Sequence, residues 1–221
     1  KKFGRLVFDT LRNGETVGPI GVVEVSNPVG VVKFGKNNTL YDTRMGAFCN
    51  VACGTCLQQE CPGHFGYIRL GSPCVNPLFV GYLRKMLKSV CLECFRMECT
   101  CTVPKNIVVV RNGRFDRSSC GLKFSFVWKA DKEPVPLAEL YELLGRVEGT
   151  EELLRVCFIR TLLVLPIPSR MPQRSGQHWK MDDRTQMYLD VLRRTLELRR
   201  RKGSVPQVIL DEIHARVQDA I

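Results

Sequence analysis

Three features are missing from this 221-residue sequence, and each absence excludes a class of protein. The longest apolar stretch, residues 156–167, is interrupted by Arg160 and Pro166 and falls short of the roughly 20 residues that a membrane-spanning helix needs. No internal repeat or low-complexity tract is present, and the ordinary globular composition makes wholesale disorder unlikely. The chain opens at Lys1 without an initiator methionine or an apolar signal core, so we expect it to be a segment of a longer protein.

Acidic residues are scarce relative to basic ones. The sequence has 22 Asp and Glu against 33 Lys and Arg, a formal net charge of +11 at pH 7. Hydrophobic residues make up 44% and charged residues 25%, which is ordinary for a globular protein with one large core or two smaller ones. Because Lys and Arg gain affinity for a phosphate backbone by releasing counterions, the positive excess favours a nucleic-acid partner.

The 11 cysteines cannot all pair in disulfides within the chain, because their number is odd. A secreted disulfide scaffold is normally shorter and evenly paired, whereas Cys-x2-Cys pairs in a chain without a signal peptide indicate metal binding in a reducing compartment. We therefore expect a protein of the cytosol or nucleus whose thiols bind metal.

The first cysteine cluster offers four ligands in two short loops: Cys53 and Cys56, then Cys61 and His64. A spacing of two residues lets both side chains of a loop reach one ion, and four such ligands complete the tetrahedral shell of a structural zinc ion. A thioredoxin-type redox pair is the alternative, but it needs a strand-to-helix context that the Gly- and Pro-rich flanks do not supply. We predict a zinc site here.

The second cluster is less complete. Its best candidates are Cys91, Cys94 and Cys120, and the fourth ligand is either Cys101, which we prefer, or Cys99, which could simply follow the end of the preceding helix. We expect a second zinc ion, with buried free thiols as the alternative for some of these positions. The other three cysteines are interpreted as buried free thiols: Cys49, Cys74 and Cys157.

Short strand-like and helical patterns alternate along the chain, so we predict an α+β fold. Strand patterns occur in short runs within residues 3–34 and at 65–70, 107–110, 122–128 and 160–167. Helical spacing occurs at residues 77–87, 136–144 and 150–157. We expect the runs at 107–110 and 122–128 to pair, because an Asn112-Gly113 turn lies between them.

The C-terminal residues carry two helical patterns joined by a short turn. Apolar residues keep helical spacing from Asp182-Asp183, which can cap a helix, to about Lys202, and again over residues 208–221. Two amphipathic helices with so short a connection predict an antiparallel helical hairpin. We accordingly divide the chain into an N-terminal arm with strands (1–48), a zinc-binding region (49–125), a core region (126–180) and the helical hairpin (181–221).

Basic residues are concentrated on this hairpin and in the segment before it. As nucleic-acid contacts we predict Arg193, Arg194, Arg199, Arg200, Arg201 and Lys202, with Arg170, Arg174 and Lys180 as further candidates. The alternative for each is a solvated helix face or a contact to an acidic neighbouring subunit. Trp128 and Trp179 are expected to pack within the protein rather than to stack on bases.

Two motifs carry a family resemblance. They are Asp42-Thr43-Arg44-Met45-Gly46 and the pair of cysteine loops, which run on into Phe65 and Gly66. With them, nearly the whole chain resembles the N-terminal clamp region of the largest subunit of multi-subunit DNA-directed RNA polymerases. The stretches at residues 75–79 and 165–170, and the spacing of Cys91, Cys94 and Cys99, most resemble the RNA polymerase I type.

The resemblance implies a mobile clamp that closes over DNA and the RNA–DNA hybrid in a nuclear enzyme, nucleolar for the RNA polymerase I type. Its partners would be the other polymerase subunits, including the second-largest, and initiation and elongation factors that meet the helical hairpin. The family holds Mg²⁺ in an Asp-x-Asp-x-Asp loop that this sequence does not match. Magnesium is therefore expected in the full enzyme only, and this chain alone should catalyse nothing.

The sequence departs from the RNA polymerase I pattern at the second cluster, where Arg117-Ser118-Ser119-Cys120 supplies one cysteine instead of a Cys-x2-Cys pair. This departure leaves the fourth ligand of the second zinc open. A free-standing zinc-binding, nucleic-acid-binding module is the alternative function. A RING-type ubiquitin ligase is disfavoured, because it needs eight interleaved ligands with a Cys-x-His step, which the sequence does not provide.

Overall fold

The computed structural model describes residues 23–30, 32, 35–97, 101–102, 105–111 and 124–221. Within these residues the fold is α+β. The helices are α1 (Val80–Ser89), α2 (Leu137–Gly145), α3 (Glu151–Cys157), α4 (Asp183–Arg201) and α5 (Gln207–Gln218). The strands are β1 (Val23–Glu24), β2 (Gly66–Val75), β3 (Ile107–Arg111), β4 (Phe124–Trp128), β5 (Phe158–Val164), β6 (Gln173–Ser175) and β7 (His178–Lys180). None of the described helices combines the length and the hydropathy that crossing a membrane requires.

The chain divides into two compact units. Unit 1 combines residues 1–71 with residues 160–197, and unit 2 combines residues 72–159 with residues 198–221. Each unit is therefore completed only when an early and a late segment of the chain come together, and local sequence patterns cannot show this.

A three-stranded sheet has the strand order β1-β2-β5, with β1 parallel to β2. Val23 pairs with Gly66, and Glu24 pairs with Tyr67. Gly66 is required at its position because a Cβ there would collide with Met45 Sδ and would lie 3.1 Å from the carbonyl oxygen of Val23. The missing side chain thus lets the fully buried Met45 pack directly on the strand.

Unit 2 has a contiguous apolar core to which α1, α2, α3, β3 and β4 contribute. Helix α1 supplies Leu83, Met86 and Leu87, whose spacing places them on one helix face. Strands β3 and β4 are antiparallel, with Ile107 opposite Trp128, which confirms the predicted pair. The core fixes which side of α1 is buried and which side faces solvent.

Polar side chains of α5 hold the last residues of β2. Gln218 Nε2 donates to the carbonyl oxygen of Val75 at 3.0 Å, and Gln218 Oε1 accepts from the N–H of Val75 at 2.6 Å. His214 Nε2 donates to the carbonyl oxygen of Pro73 at 2.9 Å. The amide satisfies both backbone groups of Val75, as a neighbouring strand would, and so anchors α5 within unit 2.

The predicted helices are present with small shifts at their ends. Helices α2, α3, α4 and α5 correspond to the patterns at 136–144 and 150–157 and to the two C-terminal patterns. The helix expected from Pro77 begins later, because Asn76 caps a 3-10 turn over Pro77–Phe79 and the α-helix starts at Val80. The packing of α4 and α5 as a hairpin, like the four-part division of the chain, stays a prediction.

One interpretation of the remaining cysteines is wrong. Cys74 and Cys157 are buried, as expected, but the thiol of Cys49 is exposed. Cys49 lies in a turn directly after Phe48 and has a φ of 50°, a backbone conformation that its sequence neighbours did not indicate. The Trp179 ring packs edge-on against the ring of Phe48, with 5.2 Å between the centroids, in agreement with the packing role predicted for it.

Candidate metal centres

Four predicted ligands of unit 1 converge on one point. The ligand atoms of Cys53, Cys56, Cys61 and His64 all lie within 4.8 Å of one another, and Cys61 Sγ is 3.3 Å from His64 Nε2. Around a tetrahedral zinc ion with bonds of about 2.0–2.3 Å, ligand atoms are about 3.3–3.8 Å apart. Three of the residues are buried and Cys56 is partly exposed. The four side chains form a closed shell of the size that one metal ion needs.

The two Cys-x2-Cys loops share one backbone geometry, although they belong to different units. The N–H of Cys53 donates to the carbonyl oxygen of Gln58 at 3.0 Å, and the N–H of Cys91 donates to that of Arg96, also at 3.0 Å. The residue after the second cysteine has a positive φ in both loops, 62° at position 57 and 56° at position 95. This left-handed residue turns the chain back, which keeps both thiols of each loop together. The shared geometry indicates a shared use.

The crowding of the thiols in the first centre separates their pKa values. The hydrogen bond with His64 lowers the pKa of Cys56 to about 6, whereas burial raises the pKa of Cys61 to about 11. Three thiolates in so small and poorly solvated a volume repel one another, so the group cannot ionise fully by itself. A divalent cation removes this obstacle because it stabilises every thiolate that binds it. The donor set of three sulfurs and one imidazole therefore fits a metal ion such as zinc.

Three successive carbonyl groups hold both ligand loops of this centre. They belong to the 3-10 turn Thr43–Met45, and they accept hydrogen bonds from both loops. The Thr43 oxygen accepts from the Gly54 N–H at 2.9 Å, the Arg44 oxygen from the Thr55 hydroxyl at 2.7 Å, and the Met45 oxygen from the His64 N–H at 3.1 Å. The turn therefore sets the separation of the two loops independently of any ion, as outer-shell groups do in metal sites. We call residues 42–46 the scaffold turn.

The side chain of Asp42 fixes the scaffold turn. Its carboxylate accepts from the N–H of Asn38 at 2.6 Å and from the N–H of Arg44 at 3.0 Å, and it receives two further bonds from the Arg44 guanidinium, at 3.0 and 2.7 Å. The Asp42 side chain is 1% exposed. Burial alone would raise the pKa of Asp42, but the hydrogen bonds from Arg44 and Asn38 outweigh it and hold the pKa below its ordinary value. Asp42 and Arg44 of the motif therefore cap the scaffold turn.

Arg170 is buried in unit 1, so its interpretation as a further nucleic-acid contact is wrong. Its side chain is 1% exposed. Nε donates to the carbonyl oxygen of Leu165 at 2.8 Å, Nη1 donates to the Thr185 hydroxyl at 3.3 Å, and Nη2 donates to the carbonyl oxygen of Leu40. The guanidinium also faces the ring of Tyr41, with 5.5 Å from Cζ to the centroid. Arg170 ties the first turn of α4 to the segment that leads into the scaffold turn.

The proline-rich segment before Arg170 packs on the first metal centre. Gly63, between two ligands, has a φ of 99°, and a Cβ there would collide with Pro166. Gly46 has a φ of 144°, and a Cβ there would lie 2.7 Å from Pro168 Cδ. Glycine alone fits both the backbone conformation and the available space at these two positions. The cysteine loops and the proline-rich stretch are therefore parts of one structure.

Three of the ligands predicted for the second centre meet in unit 2. The Sγ atoms of Cys91, Cys94 and Cys101 lie within 4.8 Å of one another, with Cys91 buried and the other two partly exposed. Hydrogen bonding with Cys94 is the main cause that raises the pKa of Cys101 to about 12, as expected where three thiols lie close together. The other two candidates, Cys99 and Cys120, lie outside the described residues. The fourth ligand stays a prediction.

The predicted nucleic-acid contacts lie on α4 and directly after it. The guanidinium of Arg193 lies beside Gly30, where a Cβ would be 2.6 Å from Nη2. Arg194 is half-buried. Four consecutive basic residues at the end of the helix are exposed: Arg199, Arg200, Arg201 and Lys202. Arg174 and Lys180 are also exposed, on β6 and β7. Their accessibility permits contact with nucleic acid, and that role stays a prediction.

Sequence reasoning missed the groups that support the ligands. The carbonyls of residues 43–45 cannot be recognised from side-chain types. Asp42 two residues before Arg44 was a usable signal, because Asp commonly caps a turn two residues on. Arg170 gave no such signal, because arginine is rarely buried completely and its acceptors are distant in the sequence.

The fold and the metal centres define a class: an α+β protein with two cysteine-rich centres, each containing a Cys-x2-Cys loop. The family model described as RNA polymerase Rpb1, domain 1, matches residues 1–125, a range that contains both cysteine clusters. The chain belongs to this family. The resemblance that rested on residues 42–66 is thereby confirmed.

Curated relatives agree with the family match. RNA polymerase I subunit RPA1 of Drosophila melanogaster is 47% identical over 62 residues, 27% of this chain and 4% of the relative. RNA polymerase I subunit RPA190 of Saccharomyces cerevisiae is 37% identical over 102 residues, 43% of this chain and 6% of the relative. RNA polymerase subunit Rpo1N of Methanocaldococcus jannaschii is 32% identical over 113 residues, 49% of this chain and 8% of the relative. The matched part is thus a small fraction of each relative.

Proposed function

We propose that this chain is the N-terminal clamp part of the largest subunit of a DNA-directed RNA polymerase, of the RNA polymerase I type. In the assembled nucleotidyltransferase it would hold DNA and the RNA–DNA hybrid while RNA is made. The observation that carries the proposal is a four-ligand metal shell held by the scaffold turn, inside the range that the family model matches. The names of the relatives favour this function over a free-standing zinc-binding module.

The metal in both centres is proposed to be zinc in a structural role. When bound, zinc would supply a rigid four-coordinate node without an open position for a substrate. The surroundings of the first centre support this role, because the apolar cluster formed by its loops contains, among the described residues, Ala47 and the cysteines 53, 56 and 61. In the second centre we propose Cys91, Cys94 and Cys101, with Cys120 as the fourth ligand. Loops with so little apolar core of their own depend on metal to fold.

Catalysis is proposed to lie in another part of the enzyme. The sequence contains no Asp-x-Asp-x-Asp motif. Its adjacent pair Asp182-Asp183 stands at the start of α4, where the Asp182 carboxylate accepts from the N–H of Arg184 at 3.0 Å and so caps the helix. We therefore assign magnesium to the full enzyme and a holding role to this chain.

The holding role is proposed to involve α4 and α5 as a helical hairpin, supported by the short connection at residues 202–206, where Gly203 has a φ of 84°. Exposed cations at the end of α4 suit a sequence-independent, salt-sensitive contact with phosphates. Initiation and elongation factors, the second-largest subunit and the other subunits are the proposed partners. A nuclear and, for the RNA polymerase I type, nucleolar location follows from the same proposal, as does the reducing compartment that free thiols require.

The test uses the assembled enzyme with Arg199→Glu, Arg200→Glu and Arg201→Glu together. Each phosphate contact contributes about 0.9 to the slope of log K against log salt, so three lost contacts should reduce the slope for DNA release by about 2–3. A matched control reverses three exposed lysines elsewhere: Lys36, Lys129 and Lys132. Equal slopes for the triple variant and its control would contradict the assignment of the basic end of α4 to nucleic acid.

A further inference from the structure

The solvent-facing side of α1 carries two large apolar side chains that no described residue covers. Leu78, in the 3-10 turn before the helix, is 83% exposed, and Tyr82 is 56% exposed. They are four residues apart, Leu78 in the 3-10 turn and Tyr82 in the first turn of α1. Removing large apolar side chains from water is favourable, so a protein that holds this pair in water forgoes a stabilising contribution.

Hydrogen bonds to Asn76 hold the backbone of the turn that contains Leu78. The side chain of Asn76 accepts from the N–H of Leu78 at 3.2 Å, and the backbone oxygen of Asn76 accepts from the N–H of Phe79 at 3.0 Å. Asn76 itself is buried, and Phe79 packs against the core of unit 2. The turn therefore fixes the backbone at Leu78, which lowers the entropy cost of inserting this residue into a partner.

Three basic residues follow the apolar pair along α1, and no acidic residue lies among them. The next two turns of α1 expose Arg84, Lys85 and Lys88, and none of the three forms an ion pair with a residue that the structure describes. The sequence has no Asp or Glu between Glu60 and Glu93. Like charges three and four residues apart on a helix repel each other, so these three cations slightly lower the stability of the isolated chain.

From this combination we propose that α1 is a docking surface for an acidic segment of a partner protein that carries an apolar side chain. The apolar residue would cover Leu78 and Tyr82, while carboxylates beside it would meet Arg84, Lys85 and Lys88. A nucleic-acid backbone would use the three cations but has no group that covers an aliphatic side chain, which is why Leu78 favours protein. The charges would steer the partner and set its register, and the apolar pair would supply the buried anchor.

The experiment places the photo-cross-linking residue p-benzoylphenylalanine at position 78, and separately at position 82, of the full-length subunit in the purified assembled complex. After irradiation, cross-linked peptides are identified by mass spectrometry. We expect both positions to join a segment of another protein chain with more Asp and Glu than Lys and Arg. Cross-links to nucleic acid, to another part of the same subunit, to a neutral or basic segment, or to nothing at either position would overturn the proposal.

A charge test distinguishes this surface from a chance neighbour. Lys85→Glu with Lys88→Glu should lower the cross-link yield from position 78 by about threefold or more, since two surface ion pairs become repulsive contacts. The matched control, Lys129→Glu with Lys132→Glu, makes the same change in net charge at two other exposed lysines of unit 2 and should leave the yield unchanged. Equal losses in the two variants would show a general charge effect and overturn the proposal. The result of this cross-linking test does not depend on whether the basic end of α4 contacts DNA, which the salt-dependence experiment tests separately.

Discussion

The two cysteine centres of this chain use the same loop geometry in very different surroundings. At the first centre, the apolar cluster in the described part of the chain consists of Ala47 and three ligands, and Pro166 and Pro168 pack beside the loops. At the second, the residues around the loop belong to the large core of unit 2: Val90 and Leu92 are buried in it, and Phe95 packs against it. The comparison teaches that one kind of metal loop can be held mainly by polar groups or can be attached to a large apolar core.

The supports of the two centres differ in the same way. The first depends on polar groups: the carbonyls of the scaffold turn, the capped carboxylate of Asp42 and the buried guanidinium of Arg170. The second needs fewer polar supports, because apolar burial already fixes the segment that carries Cys91. Loss of metal should therefore unfold the first centre and leave most of the second in place.

The largest expected effect comes from removing the first ligand of each loop in the full-length subunit. Cys53 and Cys91 are equally buried and occupy equivalent loop positions, so Cys53→Ser and Cys91→Ser are matched changes. Since structural zinc contributes about 10–16 kcal/mol of apparent binding free energy in small domains, Cys53→Ser should abolish amide protection over residues 45–66. Cys91→Ser should leave the protection of α1 and β3 within about tenfold of the original. Native-state hydrogen exchange and elemental analysis measure both.

Each variant should lose about one zinc ion per chain, and this loss is the control that makes the comparison valid. If the two variants lost equal protection around their own loops, the apolar core of unit 2 would not have the supporting role that its contacts with Val90 and Leu92 indicate. If Cys53→Ser kept its full metal content, the four-ligand shell itself would be refuted.

The second effect in size concerns Arg170, the buried guanidinium of unit 1. Arg170→Met leaves the carbonyl oxygens of Leu40 and Leu165 without a donor, and each unpaired buried group costs about 1–3 kcal/mol. We expect the opening free energy of amides 41–46 and 183–187 to fall by about 2–4 kcal/mol, with faster loss of metal to a chelator. Arg174→Met, four residues on and exposed, should change neither quantity.

The contrast between Arg170 and the helices shows what the sequence could predict. Helical spacing predicted α2 to α5 to within a few residues, and ligand spacing predicted the convergence at positions 53, 56, 61 and 64, because both depend on neighbours in the sequence. The burial of Arg170 depends on Leu40, 130 residues away. Cys49 is exposed in a turn where its backbone has a left-handed φ. Such features arise from tertiary packing, which residue type and local pattern do not encode.

A smaller effect is expected from Asp42→Asn, which weakens the cap of the scaffold turn. The hydrogen bonds from Arg44 and Asn38 hold the pKa of Asp42 below its unfolded value of about 3.9, so the carboxylate stabilises the folded state above that pH and loses its contribution as the pH falls through the lower, folded pKa. At pH 7 we expect a loss of about 1–3 kcal/mol in the opening free energy of amides 43–55.

The pH dependence provides the control for Asp42. The difference between the original protein and Asp42→Asn should shrink as the pH is lowered below about 4, because protonation then removes the same charge from the original protein. A difference that stays constant across that range would assign the effect to altered shape rather than to the charge of Asp42.

The smallest effect should come from the corresponding change at the second centre, Glu93→Gln. Glu93 and Lys105 form an ion pair at 2.8 Å, but their side chains are 52% and 64% exposed, and solvent screens such pairs. The backbone already joins the same segments, since the N–H of Leu92 donates to the carbonyl oxygen of Lys105 at 2.8 Å. Hydrogen exchange over α1 and β3 should therefore show no resolvable change. A loss as large as that of Asp42→Asn would mean that charge, not the apolar core, holds the second centre, and the contrast between the two centres would fail.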